Sequence, residues 1–154
     1  MERIETVLQN RLTEFYHTLA FALGVKDYEK LRASYKTIVG LANQTPLTDL
    51  PYKLFQLTHS PDPFTRMLAS GGLSFHFELD KKHPVHDLIQ SLDQAAHVFE
   101  GNKDDFYAYI ASLASESPDY PSMIQRLDAD LPSLPDNMRF ALTTVVVKCM
   151  PDPV

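Results

Sequence analysis

Four of the six histidines fall between residues 76 and 97. The segment Phe75-His76-Phe77-Glu78-Leu79-Asp80-Lys81-Lys82-His83-Pro84-Val85-His86-Asp87 is the densest run of side chains able to bind a metal. Imidazole nitrogens and carboxylates together suit Zn²⁺ or another divalent transition metal. On a strand, His76, Glu78 and Asp80 point to one face, and a tight turn then carries His83 or His86 toward them. A metal-dependent hydrolase or metal-binding protein centred on His76, Glu78, His83 and His86 is therefore one expectation. The competing reading is a polar strand edge followed by a helix start. The spacing His-x6-His-x2-His matches no closed zinc pattern, and Lys81 and Lys82 place two positive charges inside the set.

Other histidines invite comparison with known chemistry. His59 followed by His86-Asp87 and later aspartates resembles the order of metal ligands in the HD-domain phosphohydrolases, an all-helical family. Here Lys81-Lys82-His83-Pro84 precedes the pair, where that family has an apolar helix. His97-Val98-Phe99-Glu100-Gly101 is similar to the signature of histidine phosphotransfer domains, which implies phosphoryl transfer through His97. Glu100 stands where that family carries lysine, and its carboxylate repels an incoming phosphoryl group. Leu92, His97 and Phe106-Tyr107 resemble the surroundings of the proximal haem histidine in bacterial globins, which implies haem on His97. On a helix, however, His97 groups with His86, Gln90 and Asp93, opposite Leu88, Leu92, Ala95 and Phe99. Asp93 and His97, four residues apart, are spaced as a helical carboxylate–imidazole pair.

No glycine-rich phosphate loop, serine nucleophile elbow, Cys-x-x-Cys pair or zincin helix is present, and no residue is assigned a catalytic role. The single Cys149 follows three valines and reads as a packing thiol, with a reducing compartment expected. Met1-Glu2-Arg3-Ile4-Glu5 lacks a basic stretch followed by an apolar one, and no apolar run approaches the roughly 20 residues that span a bilayer. A cytoplasmic protein without membrane attachment is the expectation.

The elements that must position these residues are mostly helices. Ile4, Leu8, Leu12, Phe15, Leu19 and Ala22 recur at helical spacing, with Gly24 as a stop. Asp27 is read as the cap of a second, antiparallel helix carrying Leu31, Tyr35, Ile38 and Val39. Its Lys26, Lys30, Arg32 and Lys36, interleaved with Tyr28 and Tyr35, superficially match a nucleic-acid patch, but Asp27 and Glu29 lie among them and both tyrosines fall on the core side. Short helices follow over Leu50 to Thr58 and Pro63 to Ser70, the latter opened by Asp62-Pro63 and stopped by Gly71-Gly72. Leu73, Phe75, Phe77 and Leu79 then alternate with polar residues, which predicts a strand. Its only strong partner within the chain is Thr143 to Val147, unless two copies pair edge to edge as a homodimer. The same run fits a helix with Met138, Leu142, Val145 and Cys149 on one face and Ser133 with Asp136 as a capping box, and that reading is favoured. Pro84 opens a strong helix, ended by Gly101-Asn102. Asp104 starts another, and late prolines break up the remainder. The fold class is mainly α, a compact bundle of about seven or eight helices with one short strand or hairpin. Residues 1–150 are read as one domain and residues 151–154 as a free tail.

Charge is uneven. The chain has 14 Lys plus Arg against 20 Asp plus Glu, a formal net of −6. Residues 1–82 hold ten basic and nine acidic side chains, whereas residues 83–154 hold four and eleven. This balance excludes a sequence-independent duplex-DNA binder, which needs cations to displace counterions. It favours a small protein-interaction protein of the adaptor, inhibitor, immunity or export-chaperone kind, meeting a partner with a basic surface. Asp104, Asp105, Tyr107, Tyr109, Glu116 and Tyr120 are its candidate contact residues, tyrosine offering contact area with few rotamers to immobilise.

Overall fold

The computed structural model describes residues 3–22 and 25–149. The chain forms two compact units, the first ending at Lys81 and the second beginning at Lys82. The described residues contain eight α-helices and no strand. In the first unit these are α1 (Ile4–Ala22), α2 (Val25–Gln44), α3 (Leu50–Leu57) and α4 (Pro63–Leu79). In the second they are α5 (Pro84–Val98), α6 (Lys103–Glu116), α7 (Tyr120–Asp130), a 3₁₀ turn over Leu131–Ser133, and α8 (Asp136–Cys149).

The first unit is built around α4, which packs against α1, α2 and α3. Leu8, Leu12, Leu31, Ile38, Leu54 and Leu68 are each at most 1% exposed and form its core. α1 and α2 run antiparallel, tied by Gln9 Nε2 donating to Asn43 Oδ1 (2.6 Å) and by Tyr16 stacked on Tyr35 at 4.1 Å. That stack accounts for Tyr35 directly: it is interhelical packing, while Lys30, Arg32 and Lys36 stay exposed around it. Arg11 of α1 pairs with Glu78 of α4 and lies 6.0 Å from the Phe75 ring.

Several expectations are corrected here. The alternating segment Leu73 to Leu79 is the second half of α4, so the predicted strand, its hairpin and the edge on which strand-paired dimerisation depended are absent. The buried positions of α4 are Thr65, Leu68, Ala69, Gly72, Leu73 and His76, a helical stripe, whereas Phe75 and Phe77 are only half-buried. Two members of that stripe are a glycine and a histidine, which hides its period from hydrophobicity alone. Gly71-Gly72 does not stop the helix. A Cβ on Gly71 would overlap the Phe15 ring, and one on Gly72 would lie 3.3 Å from Leu54 Cδ1 and 3.4 Å from Leu12 Cδ2. The pair is a notch in mid-helix that lets α1 and α3 approach. α2 begins at Val25, so Asp27 lies in its first turn and not at its cap. The Gly24 stop and the tail from residue 151 lie outside the described residues.

Asp62 caps α4 as its Asp-Pro start signal implies, with Pro63 at the first helical position. His59, in the loop before it, sits edge-on to Phe55 with ring centres 5.0 Å apart, and its buried Nε2 has no hydrogen-bond partner. Burial pushes its pKa below the ordinary 6.5. The unfolded chain then binds the proton more readily, so this contribution to stability is complete above pH 6.5 and is lost as pH falls below it. Thermal melts between pH 7.5 and 5 are expected to show a smaller acid-induced drop in the His59→Leu variant than in the wild type. Equal drops would refute this role for His59.

In the second unit, α5 and α8 pack antiparallel and α7 bridges α6 and α8. Asn137 Nδ2 donates to Glu100 O (2.9 Å), Lys148 Nζ to Gln94 Oε1 (3.3 Å), and Cys149 lies 3.9 Å from Ser91 Oγ. Cys149 is buried, as its valine-rich neighbourhood implies. Phe106, Leu88, Leu113, Met123, Ile124, Leu127, Leu142 and Val145 fill the core. The run Thr143 to Val147 is helical, as favoured, but α8 opens at Asp136 directly after Pro135, and Ser133 belongs to the preceding 3₁₀ turn. α5 ends at Val98, before the Gly101-Asn102 pair read as its stop, and Asn102 instead caps α6, which begins at Lys103: its side chain accepts from Asp104 N–H at 2.9 Å.

Candidate functional site

The metal set is not assembled. In a helix of about 100° per residue, Glu78 points roughly 200° away from His76, and its carboxylate is paired with Arg11. His76 is fully buried in α4, and Asp80 is that helix's C-cap. His83 caps α5, its Nδ1 accepting from Val85 N–H at 3.2 Å, and His86 is 4% exposed. The lone pair that a ligand would need on His83 Nδ1 already holds the helix start. Among the described residues, no three His, Cys, Asp or Glu side chains are placed to hold a metal ion.

The polar stripe of α5 divides along its length. His86 is buried at the helix start, whereas Gln90, Asp93 and His97 are exposed farther along. Asp93 and His97 are not joined by a hydrogen bond or ion pair, so the carboxylate does not support the imidazole. Together with Ala96, Lys103 and Tyr107 they line an open depression of about 300 Å³ between α5 and α6. Partial desolvation raises the Asp93 pKa. Lys103 does not face out freely: its ammonium donates to Ala96 O and to Phe99 O (2.9 Å) at the C-terminal end of α5 and lies 5.6 Å from the Phe99 ring centre. A cation there satisfies the last carbonyls and the negative end of the helix dipole. His97 sits on the exposed rim in the last turn of α5, away from the apolar face, and the helix ends one residue later.

The candidate contact residues separate into two groups. Asp104, Asp105 and Tyr107 lie exposed on the first turns of α6, Tyr107 at 52%. The others have internal roles as well. Glu116 is paired with Arg126 at 2.5 Å. Tyr109 donates to Asp130 Oδ2 at 3.0 Å, tying α6 to α7, and Tyr120 donates to Cys149 O at 3.2 Å, tying α7 to α8. Burial, reinforced by these acceptors, raises both phenol pKa values well above the ordinary 10.

Sequence reasoning missed that the four basic side chains of residues 83–154 are all engaged: Lys103 on backbone carbonyls, Arg126 with Glu116, Arg139 with Asp136, and Lys148 with Gln94. The signal was available only as their scarcity. Asp87, Asp93, Glu100, Asp104, Asp105 and Asp128 meanwhile stand exposed without an ion pair among the described residues. No family model, curated protein or solved structure matches this chain. No helix among the described residues is long and apolar enough to cross a membrane.

Proposed function

We propose that this chain is a small protein-interaction protein of the adaptor, inhibitor, immunity or export-chaperone kind. It acts in the cytoplasm and meets a basic partner through the acidic surface of its second unit. The observation that carries this reading is that the four basic side chains of residues 83–154 are all engaged within the unit while Asp87, Asp93, Glu100, Asp104, Asp105 and Asp128 face solvent. Eleven acidic against four basic side chains in residues 83–154 leave the field there negative, which steers a cationic partner and repels an anionic one. The depression beside Asp93 and Tyr107 supplies an anchor at the edge of the charged surface. An incoming guanidinium or ammonium neutralises a carboxylate already partly stripped of water and lays its aliphatic stem along the exposed ring.

Affinity capture at low salt followed by mass spectrometry tests the reading. The expected product is a partner with a basic surface whose binding weakens steeply between about 50 and 300 mM salt. The combined Asp93→Asn, Asp104→Lys and Asp105→Lys variant is expected to lose about tenfold or more in affinity for that partner, with a thermal melt checking that the fold persists despite the lost carboxylates in the first turn of α6. Capture unaffected by salt and by these substitutions would sink the acidic-surface reading.

A further inference from the structure

The open depression between α5 and α6 is lined by Asp93, Ala96, His97, Lys103 and Tyr107. What it offers a visiting group depends on what Lys103 has already used. The Lys103 ammonium reaches back to Ala96 O and Phe99 O and lies 5.6 Å from the centre of the Phe99 ring. Those carbonyls, at the negative end of the α5 dipole, are the acceptors that suit a compact ammonium, and they are taken. Two features remain. One is the Asp93 carboxylate, which forms no ion pair among the described residues and is partly stripped of water. The other is the Tyr107 ring, 52% exposed and held nearly perpendicular to the buried Phe106 ring, with centres 5.7 Å apart.

We propose that the depression is an arginine subsite, in which a guanidinium of the basic partner forks onto the Asp93 carboxylate and stacks on the Tyr107 ring. This rests on the acidic-surface reading above and names the side chain by which the partner is held. A guanidinium is planar and weakly hydrated. Its paired N–H donors match the two oxygens of a carboxylate, and its face stacks on an aromatic ring. A lysine ammonium is a strongly hydrated point charge, and to replace its water here it would need the carbonyls already bonded to Lys103. The volume of about 300 Å³ admits a guanidinium and the end of its stem. Lys103 does not close the site to a second cation. Its ammonium faces carbonyls at a helix end that carries about half a negative charge. Glu100, Asp104 and Asp105 stand exposed on either side of it in sequence.

The test uses the full chain and two small probes of equal charge, Nα-acetyl-arginine amide and Nα-acetyl-lysine amide. Each is titrated in low salt while backbone amide shifts are followed by NMR. The arginine probe is expected to shift Asp93, His97, Lys103 and Tyr107 with a dissociation constant on the order of 10 mM, and the lysine probe to bind about fivefold more weakly. Equal charge removes general Coulomb attraction from the comparison. Asp93→Asn is expected to weaken the arginine probe by about fivefold, and Tyr107→Ala to abolish the difference between the probes. Both positions are exposed, and a thermal melt checks that each variant folds. Equal affinity of the two probes for the wild type, binding of neither, shifts located away from the depression, or a preference that survives Tyr107→Ala would each overturn the arginine subsite. The acidic-surface reading fails on a different result, capture of the partner that is insensitive to salt.

Discussion

Replacing Gly72 by leucine is expected to lower the stability of the first unit by about 3 kcal/mol, near the upper end of ordinary overpacking costs. The Cβ itself would already stand 3.3 Å from Leu54 and 3.4 Å from Leu12, side chains that are 0% and 1% exposed and have nowhere to retreat. A leucine adds three further carbons in that space, and α1, α3 and α4 must separate to admit it. The neighbouring glycines supply internal controls. Gly40, in the middle of α2, has nothing within 4 Å of its would-be Cβ. Gly40→Ala should therefore stabilise by about 0.8 kcal/mol through helix propensity alone. Gly71→Ala gains the same propensity but drives a carbon into the Phe15 ring, which is set edge-on to Phe75 at 6.0 Å. It should fall below Gly40→Ala, and pairing it with Phe15→Leu should restore part of the loss. Urea denaturation followed by circular dichroism, with hydrogen exchange to locate the change in residues 3–81, provides the measurement. A Gly72→Leu chain as stable as the wild type would show that the helices do not meet at this notch.

The Asp62→Ala substitution is expected to cost about 2 to 3 kcal/mol, combining a lost helix cap with the orphaning of buried hydroxyls. Asp62 Oδ1 accepts from Phe64 N–H at 3.3 Å, while Oδ2 accepts from Ser34 Oγ at 2.5 Å and Thr65 Oγ1 at 2.7 Å. Ser34 and Thr65 are 5% and 8% exposed, so water does not readily replace the carboxylate. The same residue thus begins α4 and fastens α2 to it. The hydroxyls of Ser34 and Thr65, aided by the backbone N–H groups of Phe64 and Thr65, hold the carboxyl pKa below the ordinary 3.8. A lowered carboxyl pKa contributes stability that is fully present above 3.8 and is lost as pH falls through the folded-state value. The gap in stability between wild type and Asp62→Asn should accordingly be widest near neutral pH and narrow in strong acid. A gap independent of pH would mean that the charge contributes nothing.

Much of the helical architecture was legible because its signals are local. Asp62-Pro63 and Pro84 mark helix starts through the missing donor of proline, and both helices begin there. The stripes of α1 and α5 repeat at helical spacing over four turns or more, long enough for the period to declare itself. The second half of α4 was not legible because its buried stripe runs through Gly72 and His76, which no hydropathy scale weights as apolar. The half-buried Phe75 and Phe77 meanwhile imitate a strand. The candidate metal set inherited that error, since the angle between His76 and Glu78 depends on the element that carries them. Of the contact residues, Asp104, Asp105 and Tyr107 are exposed, whereas Tyr109 and Tyr120 are half-buried and hydrogen-bonded, a difference that depends on which helix lies opposite.

By itself the sequence determined the helical class, most helix starts and the concentration of negative charge after residue 82, because propensity, capping and charge count are properties of residues and their near neighbours. Only the tertiary structure decided that two adjacent glycines are a packing notch, that one face of α8 is left uncovered, and that the few cations of residues 83–154 are tied down. Each of these depends on which surfaces distant parts of the chain bring together, and no local pattern encodes that.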